Sequence, residues 1–157
     1  MSVAFRRESD EEHKEPRFEL PIPSGPNLVT ASGLHLIDDM LAGIETALSS
    51  HSDKDAREAL LRDKRYWQTR QATAQLAPIP SGDDVAFGTR VKFRHKAKER
   101  TIDIVGTDEA DPAAGRIAFM APLARAIMGA AEGEFCAFAG DDQAIEILAI
   151  EVLEVRA

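Results

Sequence analysis

Histidine and cysteine, the residues most used for nucleophilic and transition-metal chemistry, are few in this chain, and their spacing does not favour it. The four histidines, His13, His35, His51 and His95, fall in separate stretches and lack metal-ligand spacing. No Gly-rich phosphate loop, Ser nucleophile elbow or CxxC pair occurs. Cys136 stands in the apolar run EFCAF, where a thiol serves as a small core residue rather than a nucleophile. A complete enzymatic site belonging to this chain is therefore not expected. What remains is charge. Asp53, Asp55 and Glu58 cluster in SSHSDKDAREAL, where Ser52-Asp53-Lys54-Asp55 has the spacing of a capping box. Acids there favour the positive end of a helix dipole. Arg57, Arg62, Lys64, Arg65 and Arg70 make the next stretch basic. That stretch suits either phosphate oxygens or a solvated helix face with i,i+4 pairs. Arg90, Lys92, Arg94, Lys96, Lys98 and Arg100 recur at alternate positions, as a basic stripe or as the exposed face of a hairpin.

The elements that position these groups follow from periodicity. Leu34, Ile37, Leu41, Ile44 and Leu48 lie at alternating spacings of three and four, an a/d seam that predicts a helix over 30–49 with Thr30 as its N-cap. A second helix is predicted from about Asp53 to Leu76, with Ala56, Leu60, Trp67 and Ala74 near one face. Asp63 or Lys64, and Arg70 or Gln71, interrupt that stripe. The short polar connection between the two predicts an antiparallel hairpin, a rod of roughly 30–36 Å at 1.5 Å per residue. Trp67 reads as a packing residue of that hairpin.

Pro78, Pro80, Ser81 and Gly82 mark a linker, after which Val85, Phe87, Thr89, Val91 and Phe93 alternate as in a strand buried on one face. Further strands are predicted at 101–105, 116–119, 134–138 and 144–155, with a short helix at 122–128 opened by Pro122 and stopped by Gly129. The fold class is α+β. Residues 1–29 read as a flexible or extended segment punctuated by Pro16, Pro21, Pro23 and Pro26, with docking of Phe18, Leu20 and Ile22 as the alternative. The hairpin occupies 30–77, the linker 78–84 and the sheet domain 85–157.

Composition narrows the function. The chain has 157 residues and a formal net charge of −8, a poor balance for autonomous binding of duplex DNA. No run approaches the ~18 apolar residues of a membrane span, and MSVAFRRESDEEHKE lacks a signal-peptide core. One cysteine fits a reducing cytoplasm. A cytoplasmic protein is expected.

The block IVGTDEADPAAGRIAFMAPLARAIMG, preceded by VAFGTRVKF, resembles the C-terminal domain of the Gre family (GreA and GreB) of bacterial transcript cleavage factors. The hairpin opening with Thr30-Ala-Ser-Gly33-Leu34 is similar to that family's N-terminal coiled coil, and the likeness spans about residues 30–155. The resemblance implies a transcription elongation factor whose FKBP-like C-terminal domain docks at the rim of the RNA polymerase secondary channel; a monomer is expected, though residue order does not disclose the oligomeric state. Asp108, Glu109, Asp111, Pro122, Leu123 and Arg125 match the docking segments, with Leu123 and Ile127 packed inward and the acids and Arg125 left open to the partner. The coiled coil then enters the channel. Its tip acids, here Asp53, Asp55 and Glu58, would help hold a second Mg²⁺ in the polymerase's own active site, where the ion activates water to cleave backtracked RNA.

On that reading the chain carries no cofactor of its own, and Arg57, Arg62 and Arg65 lie where they would meet the nascent RNA 3′ end or channel phosphates. Asp53 takes the place of the family's tip Asp, but the Glu-Asn pair and the Tyr that follow it in the family have no equivalents. Both arms are also shorter. These departures keep a second mechanism open, occupancy of the channel without cleavage, as in short-hairpin relatives such as the regulator of nucleoside diphosphate kinase. A prolyl isomerase is the third and least favoured reading. It needs an aromatic-lined pocket, and the sheet domain offers only Phe87, Phe93, Phe119, Phe135 and Phe138.

Overall fold

The computed structural model describes residues 19–154. Phe18 and the rest of the segment before Glu19 lie outside them, as do residues 155–157. The first elements are β1 (Leu28–Val29), α1 (Ala31–Ser50), α2 (Lys54–Thr73) and β2 (Gln75–Leu76). Then follow β3 (Thr89–His95), β4 (Lys98–Val105), β5 (Arg116–Ala118), α3 (Pro122–Ile127), β6 (Phe135–Phe138) and β7 (Asp141–Val152). Two 3-10 turns, Thr107–Glu109 and Pro112–Ala114, link β4 to β5. The class is α+β: a helical hairpin on a small sheet.

The hairpin forms as the seam requires. Thr30 caps α1 by accepting the Gly33 N–H on its hydroxyl at 3.1 Å, and Ile37 and Ile44 are buried between the arms. Ser49 and Ser50 bond back to the carbonyls of Thr46 and Ala47, competing with the backbone ladder where α1 ends. Each arm has 20 residues, hence about 30 Å of helix. Lys64 pairs with Glu45, and Gln71 donates to Asp38 at 3.1 Å across the exposed edge of the seam. The second helix stops at Thr73, three residues before the expected end, because Gln75 and Leu76 pair in parallel with Leu28 and Val29. That pairing joins the two feet of the hairpin. It also makes residues 27–29 part of the folded unit: Asn27 is buried, and its side-chain amide donates to the Arg70 carbonyl at 2.9 Å.

The base is a five-stranded sheet in the order β5-β4-β3-β7-β6. The expected antiparallel pairing holds for β3–β4, β3–β7 and β6–β7, whereas β4 and β5 pair in parallel across the two 3-10 turns. Alternation supplies its core: Val91, Phe93, Ile102, Ile104, Ile145 and Ile147 point inward and pack with Ala124 and Ile127 of α3. The first strand starts at Thr89 rather than Val85. Thr89 Oγ1 donates to the Ala86 carbonyl at 2.6 Å and accepts the Ala86 N–H at 3.2 Å, and Gly88 has a φ of +86°. A turn therefore occupies 86–89, and Val85 is held by Ala130 instead, its N–H donating at 2.8 Å.

Candidate functional site

Three regions hold the residues singled out from the sequence: the hairpin apex, the foot of the hairpin against the base, and the outer edge of the sheet domain.

At the apex the helix cap is Asp53, not Ser52. Asp53 Oδ2 accepts the Ala56 N–H at 2.9 Å, and Asp55 lies in the first turn of α2. Arg57 folds back against the end of α1, donating to the carbonyls of Leu48 and, at 3.0 Å, His51. A guanidinium there meets the negative end of the α1 dipole. Among the described residues, no group of three or more His, Cys, Asp or Glu side chains could hold a metal ion unaided. A carboxylate that accepts one N–H still offers lone pairs to a hard cation. By donor chemistry the apex could offer a carboxylate oxygen to a hard cation but does not make a complete site.

Arg57, Arg62, Lys64, Arg65 and Arg70 of α2 all have partners within the chain. Arg62 pairs with Asp63 at 3.1 Å, and Arg65 forks around Glu19 with its closest contact at 2.6 Å. The Arg65 hydrogen bonds hold the Glu19 carboxyl below the usual carboxylate range. The β3 cations form a charge ladder rather than an unpaired stripe. Arg90 faces Asp103 across β3–β4 at 2.7 Å, Lys92 reaches Glu99 at 3.3 Å, and Arg94 bridges Glu99 and Glu146 at 3.2 and 2.8 Å.

The foot of the hairpin carries a joint that sequence reasoning missed. Arg70 of α2 donates from Nε to Asp108 Oδ2 at 2.6 Å, with side chains 3% and 8% exposed. The Tyr66 hydroxyl donates to the other oxygen of Asp108. Burial, with the neighbouring Asp108 carboxylate as a second cause, pushes the Tyr66 phenol up to about 12. Arg70 Nη2 also donates to Asn27 Oδ1 at 2.7 Å, and the Asn27 amide returns to Thr73 Oγ1 at 3.1 Å. The next residue, Glu109, takes the Thr30 hydroxyl on Oε1. Its Oε2 receives the N–H groups of Thr30 at 3.3 Å and of Gly106 at 3.2 Å. Two consecutive carboxylates on one 3-10 turn therefore grip both arms at their feet.

The expectation that these acids stay open to a partner is corrected for Asp108 and Glu109: both oxygens of each are engaged inside the molecule. The sequence did carry a trace of this, since Arg70 interrupts the apolar stripe of α2, and a cation on a packed face requires a carboxylate partner. Asp111, Pro122 and Arg125 are exposed, and Leu123 packs against the core from α3. Asp111 sits 3.5 Å from Arg116. Cys136 is only partly buried, packed against the core from β6 rather than within it, and burial raises its thiol.

A cleft of about 760 Å³ runs between the linker and the base, walled by Leu36, Leu76, Ile79, Phe87 and Val152 among others. Phe87 is its one aromatic residue. No helix among the described residues is long and apolar enough to cross a membrane.

Comparison with known proteins bears on the same regions. Residues 80–152 match the family model described as "Transcription elongation factor, GreA/GreB, C-term". Transcription elongation factor GreA of Rhizobium etli (strain CIAT 652) is 40% identical over 108 residues, covering 64% of this chain and 67% of its own length. GreA of Desulfovibrio desulfuricans is 36% identical over 74 residues, 45% of this chain, and the chain spans only 46% of that relative's length. Among solved structures, Gfh1 (GreA factor homolog 1) of Thermus thermophilus shares 16% identity at a TM-score of 0.38, covering 81% of this chain and 99% of that one. The chain belongs to the GreA/GreB family.

Proposed function

We propose that this protein is a transcription elongation regulator that binds bacterial RNA polymerase through its sheet domain and projects its hairpin into the secondary channel. The observation that carries this reading is a finger of two 20-residue helices, tipped by carboxylates and joined at its foot to a base of the family's C-terminal type. The exposed Asp111, Pro122 and Arg125, with Leu123 behind them, supply the docking surface. At the far end Asp53, with Asp55 and Glu58, donates a ligand or two to a second Mg²⁺ of the polymerase. That ion would supply an activated water and stabilise in-line displacement of the RNA phosphate. The chain's own contribution is to carry and orient the carboxylate. Arg57, tied to the carbonyls of Leu48 in α1 and of His51 just past its end, holds the apex closed behind it.

A second reading, channel occupancy without cleavage, is favoured by the role of Asp53 as helix cap and by the guanidinium of Arg57 close to the apex. Transcript release from backtracked polymerase separates the two. Asparagine caps a helix about as well as aspartate, so Asp53→Asn removes the charge and keeps the fold. Loss of release in Asp53→Asn or Asp55→Asn supports cleavage stimulation. Wild-type binding with no release supports occupancy, and wild-type failure to bind core polymerase rejects both. The isomerase reading gains nothing from the cleft, which offers a single aromatic wall residue.

A further inference from the structure

We propose that Asp108 and Arg70 are positioning residues that set the direction of the helical finger relative to its base, with Glu109 and Thr30 completing the joint. The inference deepens the proposed function and rests on it only for its polymerase arm. Asp108 and Glu109 match the segment that the resemblance assigns to docking, yet the side chain of Asp108 is 8% exposed and turned toward the hairpin. Its two oxygens receive Tyr66 and Arg70, one helical turn apart on α2. Glu109 receives the N-cap residue of α1 on the other arm.

The grip is therefore on both helices at once, from a single 3-10 turn of the base. Asn27 fixes the third side by binding both the Arg70 guanidinium and the Arg70 carbonyl. Bonds from both arms to one short turn, with Asn27 bracing Arg70 from the side, oppose rotation of the finger about its foot. The covalent linker cannot do this: Pro78 and Ser81 are exposed, and Ile79 is 74% exposed. The close fit around the turn points the same way. A Cβ on Gly33 would lie 2.6 Å from Glu109 Oε2, and one on Gly106 would lie 2.5 Å from the Leu28 carbonyl oxygen. Backbone on each side of the joint approaches to a distance that only glycine allows.

The test uses the full chain, with Cys136→Ala to clear the native thiol and spin labels at Ser52→Cys and Glu132→Cys, one at the apex and one on the base. Pulsed-dipolar spectroscopy should give one narrow distance distribution for the parent. Arg70→Met and Asp108→Asn should broaden it about twofold or more as minor orientations become populated. Arg70→Lys, which keeps the charge but loses the fork, should fall between. An unchanged width in variants that remain folded by circular dichroism overturns the proposal. So does loss of folding in both variants, which would mark the pair as plain core.

The second arm measures core polymerase. Asp108→Asn should keep its affinity within about threefold while its effect on elongation falls about tenfold or more. Affinity lost with the distance distribution intact would make Asp108 a docking residue and sink the inference. Wild-type failure to bind polymerase would reject the proposed function and leave the distance result standing.

Discussion

Gly33 and Glu109 approach so closely that a β-carbon on the glycine would sit 2.6 Å from the glutamate oxygen. A contact that short cannot persist, so either the glutamate leaves Thr30 or the first turn of α1 moves. Gly33→Ala should therefore destabilise the protein by about 1–3 kcal/mol, the range for overpacking a filled site. Gly43 is the internal control. It lies in the same helix, a β-carbon there would meet nothing within 4 Å, and Gly43→Ala should stabilise by about 0.5–1 kcal/mol. Urea unfolding of the two variants decides the matter, and shifts of the same sign would contradict it.

Arg70→Met should cost about 3–5 kcal/mol, because it strands the Asp108 carboxylate in a site built for an ion pair. Replacing both partners together, Arg70→Met with Asp108→Leu, should cost clearly less than the sum of the single changes. A double-mutant cycle with no coupling would contradict the pairing.

The chain's one tyrosine reports on the joint directly. Its phenol is raised from 10 to about 12, by burial first and by the Asp108 hydrogen bond second. A raised folded value means that the native state holds this proton more tightly than the unfolded chain. Its contribution to stability is thus complete below pH 10 and is lost as pH rises through about 12. Absorbance of the phenolate should titrate near 12 in the native protein, and Asp108→Asn should bring the midpoint down toward 10. A native midpoint at 10 would place the hydroxyl in water.

At the apex, Asp53→Ala should lower stability by about 0.5–2 kcal/mol, the usual cost of losing a helix cap, whereas Asp53→Asn should change it by only a few tenths. Thermal melts distinguish them. An equal loss in both would mean that the charge rather than the cap is what α2 needs.

The parts of the fold visible from residue order were those in which one physical period dominates. The seam from Leu34 to Leu48 buries Ile37 and Ile44 as its spacing demands, and alternation in β3 buries Val91 and Phe93. Pro122 opens α3, and Gly129 follows its end with a φ of +82°. Local competition defeated the same logic at Val85, where the Thr89 hydroxyl captures the backbone of Ala86 and makes a turn from residues that read as strand. The two-residue pairing of β1 with β2 leaves no periodic trace. Arg70 and Asp108, 38 positions apart, could not be matched from one sequence, and a cation in a basic run reads as solvated until its burial is seen. The same holds for the β3 cations, whose acids come from β4 and β7.

Parallel pairing of Leu28–Val29 with Gln75–Leu76 brings the chain's entry to the hairpin alongside its exit. Among the described residues, the hydrogen bonds that fasten the hairpin to the base come from Thr30, Tyr66 and Arg70, in the half of the hairpin nearer that end. Whole turns can be spliced into or removed from both arms in step, and the apex sequence exchanged, while the mounting stays as it is. The molecule is a handle with an interchangeable bit, and its reach is an independent variable that selection or an engineer can dial.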